Sequence, residues 1–107
     1  MSEILESDWK LWRKIHKEAL DRFCKQTLSE VKRTNSDSTK SYHQRYLDLW
    51  AILRRRDEEM AQAFDDLRRS KAILQIAVIK RLGLFTENEF SQFSQETRDQ
   101  VNLILLA

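Results

Sequence analysis

Residues 42–82 read YHQRYLDLWAILRRRDEEMAQAFDDLRRSKAILQIAVIKRL, without a glycine or proline among them. Tyr46, Trp50, Leu53, Asp57, Met60, Phe64, Leu67, Lys71, Leu74, Val78 and Arg81 follow one another at alternating steps of four and three, the spacing of a heptad seam. The stretch predicts one long helix, ended by Gly83 as the glycine that follows a helix C-terminus, with Arg81 in the last turn. A helix of about 40 residues is roughly 60 Å long. A compact chain of this size has a radius of gyration of only about 13 Å. One subunit cannot cover such a rod, so a homodimer is expected, with Leu53, Asp57, Met60, Phe64, Leu67 and Lys71 in its interface. Antiparallel copies crossing near Phe64 would set Asp57 beside Lys71 of the second chain, whereas parallel copies would oppose like charges.

The flanks complete an all-α fold: a long central helix, an N-terminal helix and a C-terminal helical cap, in a single domain over 1–107. Upstream, Trp9, Trp12, His16, Ala19, Phe23 and Val31 share one helical face, predicting a helix over about 7–33 with Ser7 as N-cap and Asp8 in its first turn. Residues 34–41, TNSDSTKS, are polar and cap-prone and have no apolar period, so they read as the loop. Downstream, Ala72 to Ile79 is apolar nearly all round and must be wrapped. Two short helices over 86–106 can wrap it. Thr86 and Glu89 form a capping box for the first, and Ser94 opens the second, which carries Val101, Ile104 and Leu105.

Composition narrows the function classes. Nineteen basic against seventeen acidic residues leave a net charge of +2, so no whole-molecule field points to nucleic acid or an anionic membrane. The charge is unevenly placed: residues 42–83 hold nine basic and six acidic side chains, residues 84–107 one basic and four acidic. No apolar run approaches the ~18 residues needed to span a bilayer, so no membrane is expected. Cys24 is the single cysteine, which rules out an intramolecular disulfide, and the N-terminus lacks the regions of a signal peptide. A cytoplasmic location is expected.

No phosphate-cradling glycine loop, metal-ligand pair or nucleophile motif is present, so neither catalysis nor a cofactor or metal is expected. His16 lies on an apolar face and reads as a hydrogen-bonded structural histidine, and Cys24 beside Phe23 as a small core residue. Arg54, Arg55, Arg56, Arg68 and Arg69 suggest phosphate binding. Arg54–Glu58, Arg55–Glu59 and Asp65–Arg69 stand at i,i+4, however, and neutralise one another in a solvated face. Each tryptophan reads first as core. Trp50 also reads as a binding anchor, because Arg54 and Arg56 lie near it on the helix and Arg with Trp is enriched at interaction hot spots.

Asp66, Arg68, Ser70, Gly83 and Glu89, with the apolar positions Leu84, Phe85, Phe90, Phe93 and Val101, resemble the pattern of the fluorescence recovery protein family of cyanobacterial photoprotection. Trp9 and Trp50 are similar to its tryptophans. After its tryptophan that family has a His-Asp pair, where this chain has Ala51-Ile52-Leu53. The resemblance implies a helical dimer that binds the C-terminal domain of a carotenoid-binding photoprotective protein and speeds its return to the resting state. The expectation is a non-enzymatic protein–protein interaction module or adaptor, with Tyr46, Trp50, Arg54 and Arg56 toward another protein. The alternative is a nucleic-acid-associated regulator using the five arginines.

Overall fold

The stretch that predicts one helix folds as two. In the computed structural model, which describes residues 3–107, α1 spans Glu6–Asn35, α2 Tyr42–Phe64, α3 Ala72–Arg81, α4 Glu87–Ser91 and α5 Gln95–Leu106, with a 3₁₀ turn at Arg69–Lys71 before α3. No strand occurs among the described residues. The continuous helix expected over 42–82 is interrupted at 65–68: Asp65 is extended (ψ 152°) and Asp66 takes a left-handed φ of 58°. Asp65 O accepts a hydrogen bond from Gln75 Nε2 at 2.9 Å, and the Asp66 carboxylate pairs with Arg68 Nε at 2.6 Å and Lys71 Nζ at 3.0 Å.

The reason for the bend is tertiary. A straight rod within one chain would leave the apolar stretch in water. Folding back buries Ala72, Ile73, Ile76, Ala77 and Ile79. Each buried isoleucine is worth about 1.5–3 kcal/mol. A non-glycine residue in the left-handed region costs at most about 1–2 kcal/mol, and aspartate is among those that adopt it most readily. Three isoleucines outweigh one aspartate.

The core gathers at one end of the molecule. Trp12, Ile15, Ala19 and Phe23 of α1 meet Ala63 and Phe64 of α2, the buried face of α3, and Leu84, Phe93 and Val101 from the segments beyond it. Val101 is fully buried and α5 packs on α3, as wrapping of the apolar stretch requires. From this head the distal halves of α1 and α2 project as a two-helix arm, in which Ile52 is the last buried apolar side chain of α2. The shape is accordingly long, 51 × 25 × 23 Å with a radius of gyration of 16.4 Å.

Local signals place most of the ends. Ser41 caps α2 by accepting from Gln44 N at 3.0 Å, and Asp37 accepts from Thr39 N at 3.0 Å in the loop of residues 36–41. Thr86 and Glu89 make the reciprocal capping box. Gly83, at φ 72°, lets Leu84 N donate back to Ile79 O at 3.1 Å and so closes α3. The start of α1 differs from expectation: the N-cap is Leu5, which makes no side-chain cap bond, and Ser7 lies inside the first turn.

Two clusters of polar contacts do most to fasten α1 to the head. Asp8, buried, accepts from Ser94 N (2.9 Å), Ser94 Oγ (2.5 Å) and Thr97 Oγ1 (2.7 Å), so a residue of α1 caps the N-terminus of α5. Arg22 donates to Leu84 O at 2.8 Å and to both oxygens of Glu89 at 2.6 and 2.9 Å. The hydrogen bond from Arg22 holds the Glu89 carboxyl below its ordinary value, against its partial burial, with the Thr86 backbone N–H adding to the effect. A depressed carboxylate contributes stability that is complete above its unfolded value near 4.5 and is lost as pH falls through the folded value. Glu89→Gln keeps the capping-box acceptor but removes the charge. It should therefore cost about 2 kcal/mol at pH 7, and the gap to the wild-type chain should narrow as pH falls below about 4.5 and through the lowered folded value. Urea unfolding from pH 7 downward checks it; a gap that does not narrow at all as the pH falls would show that the charge is not its source.

Candidate interaction surface

The arm carries a row of apolar side chains that its own partner helix does not cover. Tyr42, Tyr46, Trp50 and Leu53 stand on one face of α2 and are 85%, 57%, 53% and 45% exposed, with Leu47 beside them at 44%. Their spacing of four, four and three residues aligns them along the helix. Tyr42 additionally lies under the guanidinium of Arg45, 4.5 Å from the ring centroid. Aromatic side chains left in water in a contiguous stripe are the usual composition of a docking face.

Of the residues expected to face another protein, the structure brings Tyr46, Trp50 and Arg54 to this surface and turns Arg56 away. Arg54 is exposed and has no ion pair or hydrogen bond among the described residues. Arg56 lies between the helices: Nε donates to Glu30 at 3.0 Å, Nη1 to Glu59 at 3.4 Å, and the guanidinium sits 5.4 Å from the centroid of Phe23. Arg55 donates to the same Glu30 at 2.5 Å. That bond, followed by the one from Arg56, holds the Glu30 carboxyl below its ordinary value against the cost of burial. The arm is thus bolted by one glutamate held between two arginines.

The same contacts bear on phosphate binding. The expected i,i+4 pairs do not form: Arg55 and Arg56 pair across helices with Glu30, Arg56 also with Glu59 of its own helix, and Arg69 with Glu6 and Ile4 O. Arg68 is held by Asp66. Among the described residues only Arg54 of the five has no partner, so the basic stretches do not form an open cationic face.

The seam expected to pair two copies does not persist as one face. Phe64 is 5% exposed and belongs to the core of its own chain, its ring centroid 5.8 Å from Phe23 and 5.3 Å from His16. Met60 packs half-buried on that core. Lys71 pairs with Asp66 of its own chain, and Leu67 lies in the bend. Leu53 and Asp57 are exposed on α2. The 4–3 spacing holds along the sequence, but the bend divides the seam between two helices.

His16 Nε2 lies 3.2 Å from Phe64 O, donating in the tautomer that carries the proton there, and the ring is edge-on to both Trp12 and Phe64. Trp12 is fully buried and Trp9 is half-buried beneath Arg13, whereas Cys24, expected in the core, is only half-buried and lies outside the core cluster. A cleft of about 580 Å³ opens between α3 and the end of α5, floored by Leu74, Ala77, Val78 and Ile104 with Lys71 and Arg81 at its rim. No Ser, Thr, Cys, His, Asp or Glu side chain among the described residues lines it. No group of three His, Cys, Asp or Glu side chains among the described residues is placed to hold a metal ion, and no described helix is long and apolar enough to cross a membrane.

Sequence reading missed Tyr42 and Leu47 as members of the exposed stripe. Their signal was available, because Tyr42 stands four residues before Tyr46, and Leu47 is its neighbour. Comparison of the chain with family models, curated proteins and solved structures finds no match.

Proposed function

We propose that the chain is a non-enzymatic protein-interaction module that docks through the Tyr42–Tyr46–Trp50–Leu53 stripe of its helical arm, first of all with a second copy of itself. The observation that supports this is the exposure of three aromatic rings along one face of a helix whose opposite face is bolted to α1. Such rings are large, lose little rotamer freedom on contact and carry most of the energy at protein interfaces. Arg54, unengaged beside them, adds a cation at the rim. On the resemblance to fluorescence recovery proteins, a further partner would be the C-terminal domain of a carotenoid-binding photoprotective protein, met by the same stripe.

Light scattering with circular dichroism tests the reading. The wild-type chain, 12.9 kDa, should show about twice that mass at tens of micromolar. Trp50→Ala should shift the chain toward monomer, weakening association about 30-fold or more, the loss of a hot-spot residue. Because Trp50 is half exposed, its removal should change folding stability by no more than about 0.5 kcal/mol. A wild-type mass near 12.9 kDa overturns the self-docking, and loss of helicity in the variant would place Trp50 in the core.

A further inference from the structure

The bend between α2 and α3 is made by residues that do not require one. Asp65-Asp66-Leu67-Arg68 contains no glycine or proline, and the chain's single glycine is used elsewhere, at Gly83. The heptad spacing runs from Tyr46 to Arg81 through the bend without a slip. The left-handed φ of 58° falls on Asp66, which has a Cβ. Asp66 is held by two exposed ion pairs, to Arg68 and Lys71, of the kind that salt screens. Gln75, which donates to Asp65 O, leaves its own Oε1 buried without a hydrogen-bond partner. With no glycine or proline and an unbroken heptad register, a straight helix is open to this segment, and the bend is held by contacts made after it.

Those contacts join α1 to the head beyond the bend: Asp8 with Ser94 and Thr97, Arg22 with Glu89, and Trp12 edge-on to Phe85. None depends on the head belonging to the same chain. A head supplied by another copy would restore every one, while the straightened segment would recover its regular helical bonds.

We infer that 65–68 is an exchange hinge, through which the chain trades its α3–α5 head with a second copy, so that α1 of each chain packs against the head of the other. The partner is a second copy because only an identical head carries the complement of α1. The straightened helix is also self-complementary, with Asp57 seven positions before Phe64 and Lys71 seven after it. Leu67 and Leu74, exposed in the closed chain, gain a neighbouring helix there. The exchange is independent of the arm stripe, since two copies docked through the stripe keep their own heads.

Mixed single-cysteine chains test it. One chain carries Arg22→Cys and the other Glu89→Cys, both with Cys24→Ser. They are unfolded together, refolded at millimolar concentration and treated with a short bis-maleimide. Arg22 and Glu89 lie on opposite sides of the hinge and touch in the closed fold, so a 22–89 link between different chains forms only in exchanged dimers. The link is expected in the wild-type hinge. Asp66→Ala, which disfavours the left-handed turn, should raise its yield, and Asp66→Gly, which relaxes it, should lower it, with about a tenfold separation between the two. Absence of the link in all three hinges, or equal yields from Asp66→Ala and Asp66→Gly, overturns the proposal. Circular dichroism confirms that each hinge variant is folded, and a scattering mass of two chains without the link identifies stripe dimers instead.

Discussion

Asp8→Ala should destabilise the folded chain by about 3 kcal/mol, because it strips three donors of their acceptor inside the protein. Asp8 is 3% exposed, and its two oxygens receive the backbone N–H and hydroxyl of Ser94 and the hydroxyl of Thr97. All three donors lie in the first turn of α5, where a negative charge is also favoured by the helix dipole. An alanine offers none of this, and the pocket is too enclosed for bulk water to replace it fully. Asp8→Asn retains one acceptor oxygen but turns an amide toward hydroxyl donors, so it should lose about half as much. Against a total stability of about 5–15 kcal/mol for a domain of this kind, either loss is large. Urea unfolding followed at 222 nm measures both. A change of less than about 0.5 kcal/mol for Asp8→Ala would mean that the cap contributes nothing.

Asp8 also illustrates what a sequence does and does not disclose. Its place in the first turn of α1 is local information, and the helix lies within about two residues of where the pattern puts it at either end, though capped at Leu5 and not at Ser7. Its partners are Ser94 and Thr97, 86 and 89 positions away, and no periodicity connects them. Gly83, Ser94 and the Thr86–Glu89 box were legible because a cap is decided within four residues, whereas Ser41 was read only as part of a cap-prone loop. The bend at Asp66 was not. Nothing in Asp65-Asp66-Leu67-Arg68 breaks a helix, and the decision belongs to the isoleucines of α3, which have something to bury against only once the chain folds back.

The candidate site divides in the same way. Trp50 and Phe64 occupy the same seam, yet one faces water and the other the core, because α1 and the head cover the head-proximal end of α2 and leave its outer face uncovered toward the tip. Heptad spacing reports a face, not what covers it. Arg56 likewise has the composition of a binding residue, but a glutamate on the facing helix and the ring of Phe23 claim it first.

Phe64→Ala should cost about 3–5 kcal/mol, the usual loss for a large aromatic removed from a close-packed interior. Phe64 sits at the last turn of α2, edge-on to Phe23 at 5.8 Å and to His16 at 5.3 Å, where its own carbonyl lies 3.2 Å from His16 Nε2. Truncation therefore opens a cavity bounded by two rings and leaves the histidine without its lateral support. The opposing possibility is that Phe64 stabilises the chain by meeting its counterpart across a dimer seam, and protein concentration separates the two. A residue buried within its own chain shifts the unfolding midpoint by the same amount at 1 and 100 µM. A residue buried between chains shifts it by an amount that follows mass action. Phe64→Leu provides a milder case that remains folded, expected to lose about 1–1.5 kcal/mol with the same indifference to concentration. Leu53→Ala, on the exposed stripe, should leave the chain's own stability within about 0.5 kcal/mol and act on association instead. If Phe64→Ala lowers only the associated mass, and unfolding at low concentration is unchanged, Phe64 is an interface residue and the head is not a self-sufficient core.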